Sequence, residues 1–132
     1  MNIQKDMDRA KLDEKSPTMP WYVQQFIDYK LPYLSPSTLL EYVRDYETFF
    51  NWLRSEGLSE AASNAEVTLA ELERLRMDSI TGYRLYLTTR REGANSRITV
   101  SRKLSSLRSL FHYLSQIAED EDFYPLLKRN IM

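Results

Sequence analysis

The residues best able to do chemistry in this chain lie between positions 84 and 114. Arg84, Arg90, Arg91, Arg97, Arg102, Lys103 and Arg108 stand there against Glu92 alone, and the stretch "NSRITVSRKLSSLRSLFHYL" (95–114) contains no carboxylate. Arginine offers forked donors that match phosphate oxygens or a guanine edge, and short hydroxyls donate to phosphate without holding a helix away from a groove. At about 100° per residue, a helix puts Arg97, Ser101, Ser105, Arg108 and His112 on one polar stripe beside an apolar one. Arg102 falls further round the solvent side, and Lys103 sits at the other edge of the apolar face, where its stem packs while the ammonium snorkels. Such a face suits a polyanion. The same residues also suit an ordinary solvated surface, the usual fate of a charge run, and mid-helix serines are common.

A second group lies upstream. Ser35, Ser37 and Thr38 place three hydroxyls at a helix start, where free backbone N–H groups also favour phosphate. Capping by itself accounts for one or two of them.

Other chemistries find no support. With one histidine and no cysteine, disulfides, thiolate chemistry and a zinc site are excluded. His112, between Phe111 and Tyr113, reads as a surface or partly packed residue rather than a catalytic one. The nine tyrosines fall within helical patterns where aromatics serve as core. No phosphate-cradling glycine motif occurs, so no nucleotide, metal or other cofactor is expected.

The elements that must position these groups are helical. Thr18 is an expected cap for a helix from Pro20, with Trp21, Val23, Phe26, Ile27 and Leu31 as a broad apolar face ending at Pro32. The next helix opens either with Ser35 as cap and Pro36 in first place, or with Thr38 and Glu41 as a capping box. Leu39, Val43, Tyr46, Phe50 and Leu53 then form one stripe that stops near Gly57. "LSEAASNAEV" (58–67) reads as a connecting loop, and Thr68 and Glu71 open a short helix. A further helix runs through "DSITGYRLYLTTRR", interrupted by Gly82 at a possible close contact and closed near Gly93. Asn95 or Ser96 caps the last long helix, whose core face is Val100, Leu104, Leu107, Phe111, Leu114 and Ala118 and whose end is the acidic run 119–122. "FYPLLKRNIM" reads as a final helical turn or the start of a linker.

The chain of 132 residues, 42% hydrophobic, is expected to form one compact domain. Residues 1–19 lack a sustained apolar period and are expected to be a flexible lead-in, mobile or loosely helical, with 20–125 the domain and 126–132 the start of a linker. Outside positions 84–108 the sequence has eleven basic groups against eighteen acidic ones, so a formal net charge of −1 can hide one positive face. No apolar run reaches the ~20 residues that span a bilayer, and the charged opening "MNIQKDMDRAKLDEK" is unlike a signal peptide, so a cytoplasmic location is expected.

Two stretches together carry a resemblance. "STLLEYVRDYETFFNWL" (37–53) resembles the S/N-T-L-x-x-Y-x-x-D-L-x-x-F-x-x-W-L signature that opens the core-binding domain of tyrosine recombinases and phage integrases. "SRITVSRKLSSLRSLFHYL" (96–114) is similar to the last long helix of that domain, and the segment with "MPWYV" before the signature resembles the single-recombinase Xer branch, which resolves chromosome dimers. The resemblance covers roughly residues 20–125. It implies an all-α, SAM-like bundle of four main helices plus one or two short ones, forming half of a clamp on a recombination half-site. It nominates Ser37, Thr38, Tyr42 and Arg44 at one DNA-binding site, and Arg97, Thr99, Ser101, Arg102, Ser105 and Arg108 at another. Tyr42 also reads as a core-edge aromatic, and Thr99 equally well as a residue buried beside Val100.

The resemblance further implies double-stranded DNA and other recombinase subunits as partners. It assigns cleavage, by a tyrosine nucleophile with arginines, a lysine and histidines, to a C-terminal domain expected to lie outside this chain. The rival reading is an all-helical protein-interaction module, which would leave Trp21, Tyr22, Trp52 or Tyr86 exposed as anchors.

Overall fold

In a computed structural model, residues 3–89 and 96–132 are described. Arg90, Arg91, Glu92, Gly93 and the alternative cap Asn95 lie outside them. The described residues form six α-helices and no strand: α1 (Ile3–Lys15), α2 (Trp21–Lys30), α3 (Pro36–Ser55), α4 (Leu69–Glu73), α5 (Met77–Thr89) and α6 (Arg97–His112). They divide into two compact units, Met1–Thr68 and Leu69–Met132. The division falls directly after the loop read from the sequence at 58–67.

In the first unit, α3 carries the core. Leu39, Val43, Tyr46, Phe50 and Leu53 are all buried, as are Leu40, Phe49 and Trp52. Of the two possible starts, the Ser35 cap is the one formed: its Oγ accepts from the Thr38 N–H at 3.3 Å, with Pro36 following. Replacing Ser35 with alanine should therefore cost about 1 kcal/mol, and with glycine only a few tenths, measured as a shift in urea midpoint. At the other end Gly57 takes a left-handed φ of 72°. The Leu58 N–H bonds to the Leu53 carbonyl at 2.9 Å and the Gly57 N–H to that of Arg54 at 3.3 Å, so the last carbonyls are satisfied as the chain turns away. Arg54 then pins the loop, its guanidinium donating to the carbonyls of Ala61 and Ala62 and to Asn64 Oδ1. The Tyr22 hydroxyl, in α2, holds the loop's far end through the Val67 carbonyl at 2.9 Å.

Three expectations change here. Residues 3–15 are not a loose lead-in but a helix packed on α3. Leu12 is the one residue of α1 that is buried, and a Lys15–Glu47 ion pair at 3.3 Å adds a tie between the two helices. Thr18 does not cap α2: its hydroxyl donates to the Lys15 carbonyl within a 3₁₀ turn, and Pro20 precedes the helix. Trp21, placed on the apolar face by its type, is 55% exposed, whereas Val23, Phe26 and Ile27 are buried.

In the second unit, α5 and α6 pack together. Every residue of the core stripe from Val100 to Ala118 is buried. The α-helix closes at His112 and widens into a π-helical turn over Tyr113–Ile117, where the Ala118 N–H reaches the Tyr113 carbonyl at 2.8 Å. The Leu114 carbonyl then accepts from the Leu127 N–H at 2.9 Å. The final segment is accordingly not a helical turn. It folds back, burying Leu127, and Arg129 donates to the carbonyls of Glu73 and Leu75 at 2.6 and 2.7 Å, closing the end of α4. No helix among the described residues is long and apolar enough to cross a membrane.

Candidate nucleic-acid interface

The face of α6 is built by a division of labour around one helix. Val100, Leu104, Leu107, Leu110 and Phe111 take the buried side, and Arg97, Ser101, Ser105, Arg108 and His112 share the exposed side. Arg102 is exposed on the flank. No carboxylate lies on α6, and neither Arg97 nor Arg108 forms an ion pair with a described residue. Ile98, 83% exposed, joins this side and was not singled out by type.

The first turn of α6 runs against the usual helix charge preference. The N-terminal turn of a helix favours carboxylates, yet it has none here and opens on Arg97. Such a placement costs a few tenths of a kcal/mol at the surface.

Thr99 does not join the face. It lies on the opposite side of the helix from Ser101, half-buried, and its groups serve the cap: Ser96 Oγ accepts from the Thr99 N–H at 3.2 Å and donates to Thr99 Oγ1 at 3.0 Å. Of the two candidate caps, Ser96 is thus the one observed.

The start of α3 is more mixed. The hydroxyls of Ser35 and Ser37 lie 3.2 Å apart and those of Ser35 and Thr38 3.0 Å apart, so the three form a cluster. Ser37 and Arg44 share an exposed stripe, but Glu41 sits between them. Thr38 and Tyr42 occupy the flank, both half-buried, with the Tyr42 ring edge-on to Tyr46 at 6.2 Å. Tyr42 is therefore a core-edge aromatic. Burial, with Tyr42 and Asp45 beside it, holds the Tyr46 phenol well above its ordinary pKa and keeps it protonated. The four nominated residues of this site are brought near one helix start without being gathered on one face. Among the described residues no cluster of acidic or histidine side chains is suited to a metal ion.

The signature in α3 proves to be mainly a packing pattern, since Leu39, Asp45, Phe49, Trp52 and Leu53 are buried. An all-α chain with that buried signature and a carboxylate-free basic last helix has the character of a phage integrase N-terminal SAM-like domain. The model of that family matches residues 23–117, and the chain belongs to it. Among its relatives, the Tyrosine recombinase XerS of Streptococcus sanguinis (strain SK36) is 36% identical over 131 residues, covering 92% of this chain and 36% of the relative. The protein of the same name from Streptococcus mutans serotype c (strain ATCC 700610 / UA159) is 39% identical over 132 residues, with the same coverage. That of Streptococcus equi subsp. zooepidemicus (strain MGCS10565) is 38% identical over 140 residues, covering 98% of this chain and 39% of the relative. The chain thus spans little more than a third of the length of these relatives. No solved structure gives a significant match.

Proposed function

We propose that this chain is the core-binding, DNA-binding domain of a site-specific tyrosine recombinase, gripping one face of a recombination half-site, and that the recombination it serves is the resolution of chromosome dimers. The observation that carries this reading is the exposed side of α6, basic, hydroxyl-rich and free of carboxylates. Arg97, Arg102 and Arg108 neutralise phosphates and release their counterions, Ser101 and Ser105 donate to phosphate oxygens, and an arginine fork reaching a guanine edge supplies base discrimination. Ser37, Thr38 and Arg44 add contacts from α3, with Tyr42 supporting their helix, and Thr99 acts through the Ser96 cap. Strand cleavage falls to residues outside this chain, a division supported by the greater length of the relatives. The partners are double-stranded DNA carrying the recombination site and further recombinase subunits assembled on it, in the cytoplasm.

The interaction-module reading is less well supported. Of its four expected anchors, Tyr22 and Trp52 are buried and Tyr86 is half-buried; only Trp21 is open.

Fluorescence anisotropy of a labelled duplex carrying a dimer-resolution site, beside a scrambled duplex, tests the proposal. Binding should favour the real site and fall steeply with salt, by about 0.9 in the slope of log K against log salt for each phosphate neutralised. Absence of binding to either duplex at low salt would overturn it.

A further inference from the structure

A cavity of about 220 Å³ opens in the second unit between α5 and α6. Met77, Ile80, Thr81 and Arg84 of α5 wall one side, Leu104 and Arg108 of α6 the other, and the final residues Ile131 and Met132 complete it. Two arginines therefore line one cavity. No aspartate or glutamate lines it, and neither arginine is ion-paired to a described residue. The Thr81 hydroxyl is already spent on the Met77 carbonyl at 3.2 Å. The remaining walls are mainly apolar, which strengthens any charge pairing made against them.

We propose that this cavity seats a backbone phosphate of DNA and that Arg84 is a DNA-contacting residue on α5. The inference rests on the proposed DNA-binding function and extends it to an element that received no site residue from the sequence. Arg84 and Arg108 together supply the paired forks that planar donors offer to phosphate oxygens. The contact reads the backbone and carries no base information, so it strengthens binding to every sequence alike. Inorganic phosphate presents the same chemistry, and the test separates the two sources.

Arg84→Gln and Arg84→Lys are compared with the wild-type chain and with Arg97→Gln in duplex titrations across salt, with circular dichroism as a check on folding. For Arg84→Gln the expected result is weaker binding by the same factor on specific and scrambled duplexes, with a salt slope shallower by about 0.9. Arg84→Lys should restore the slope but only part of the affinity, because it keeps the charge and loses the fork. An Arg84→Gln slope equal to wild type, with Arg97→Gln shallower, would overturn the seat and leave the DNA-binding reading standing. Wild-type protein that binds no duplex would overturn both. In parallel, NMR of the arginine Nε–H groups is followed during titration with inorganic phosphate. A saturating Arg84 shift combined with an unchanged duplex slope would identify a free-anion site and overturn the DNA assignment.

Discussion

Phe49→Ala should lower the unfolding free energy by about 3–5 kcal/mol, read from urea denaturation. Phe49 is fully buried, and its ring lies 5.7 Å from that of Phe50 and 6.4 Å from that of Trp52. Truncation removes the transfer free energy of the ring and leaves a cavity that a 20-residue helix cannot close by shifting. Small domains are stable by only about 5–15 kcal/mol, so this loss is a large share of the total. Arg44→Ala, on the exposed side of the same helix, should stay within about 0.5 kcal/mol of wild type. A loss below about 1 kcal/mol in Phe49→Ala would contradict the packing described for α3. The comparison also separates two meanings of the motif: Phe49 belongs to the family signature, and its loss should impair DNA binding only in proportion to the fraction unfolded.

The second large effect concerns the face of α6. The double substitution Arg97→Gln, Arg108→Gln should weaken duplex binding tenfold to a hundredfold at about 0.1 M salt, taking roughly 1–1.5 kcal/mol for each charge-assisted contact in a screened setting. The salt slope should become shallower by about 1.8. Both side chains are exposed and unpaired with any described residue, so the melting temperature should hardly move. Thr99→Val makes a useful contrast, since that hydroxyl is engaged with Ser96 and its loss should leave the slope alone. An unchanged slope in the double variant would remove α6 from the interface.

Much of the fold was legible because periodic burial is written directly in residue types. The stripes of α3 and α6 were read from spacing, and every residue in them is buried. The Ser35 and Ser96 caps were each one of two options, and spacing could not choose, because both options place a side-chain oxygen able to accept from a free N–H at the same helix start. For the first helix, loosely helical was one of two readings, and its packing could not be read because its stability is borrowed. Ile3 and Met7 remain exposed, and the helix is held by Leu12 and by the apolar surface of α3, a partner far away in sequence. The returning C-terminal segment was missed for a related reason, since Arg129 closes α4 across more than fifty residues and no local signal marks such a contact. In the candidate interface, residue type and spacing nominated Arg97, Ser101, Arg102, Ser105 and Arg108, all of which the fold leaves exposed. They could not tell that Thr99 turns inward, nor that Arg84 faces the same cavity as Arg108.

The division into units also partitions charge. Residues 1–68 hold seven basic and eleven acidic groups, and residues 69–132 eleven basic and eight acidic. Within the second unit Arg97 opens α6, with Arg102 and Arg108 spaced along it, and the carboxylates of 119–122 follow its terminal turn. A chain with almost no net charge gains little pull toward a polyanion from afar, yet such a separated pair of poles experiences a torque in its field. Within about a Debye length, ~8 Å at physiological salt, that torque turns the arginine end inward before any contact forms. Under the proposed function, encounter would then be biased in orientation more than in strength.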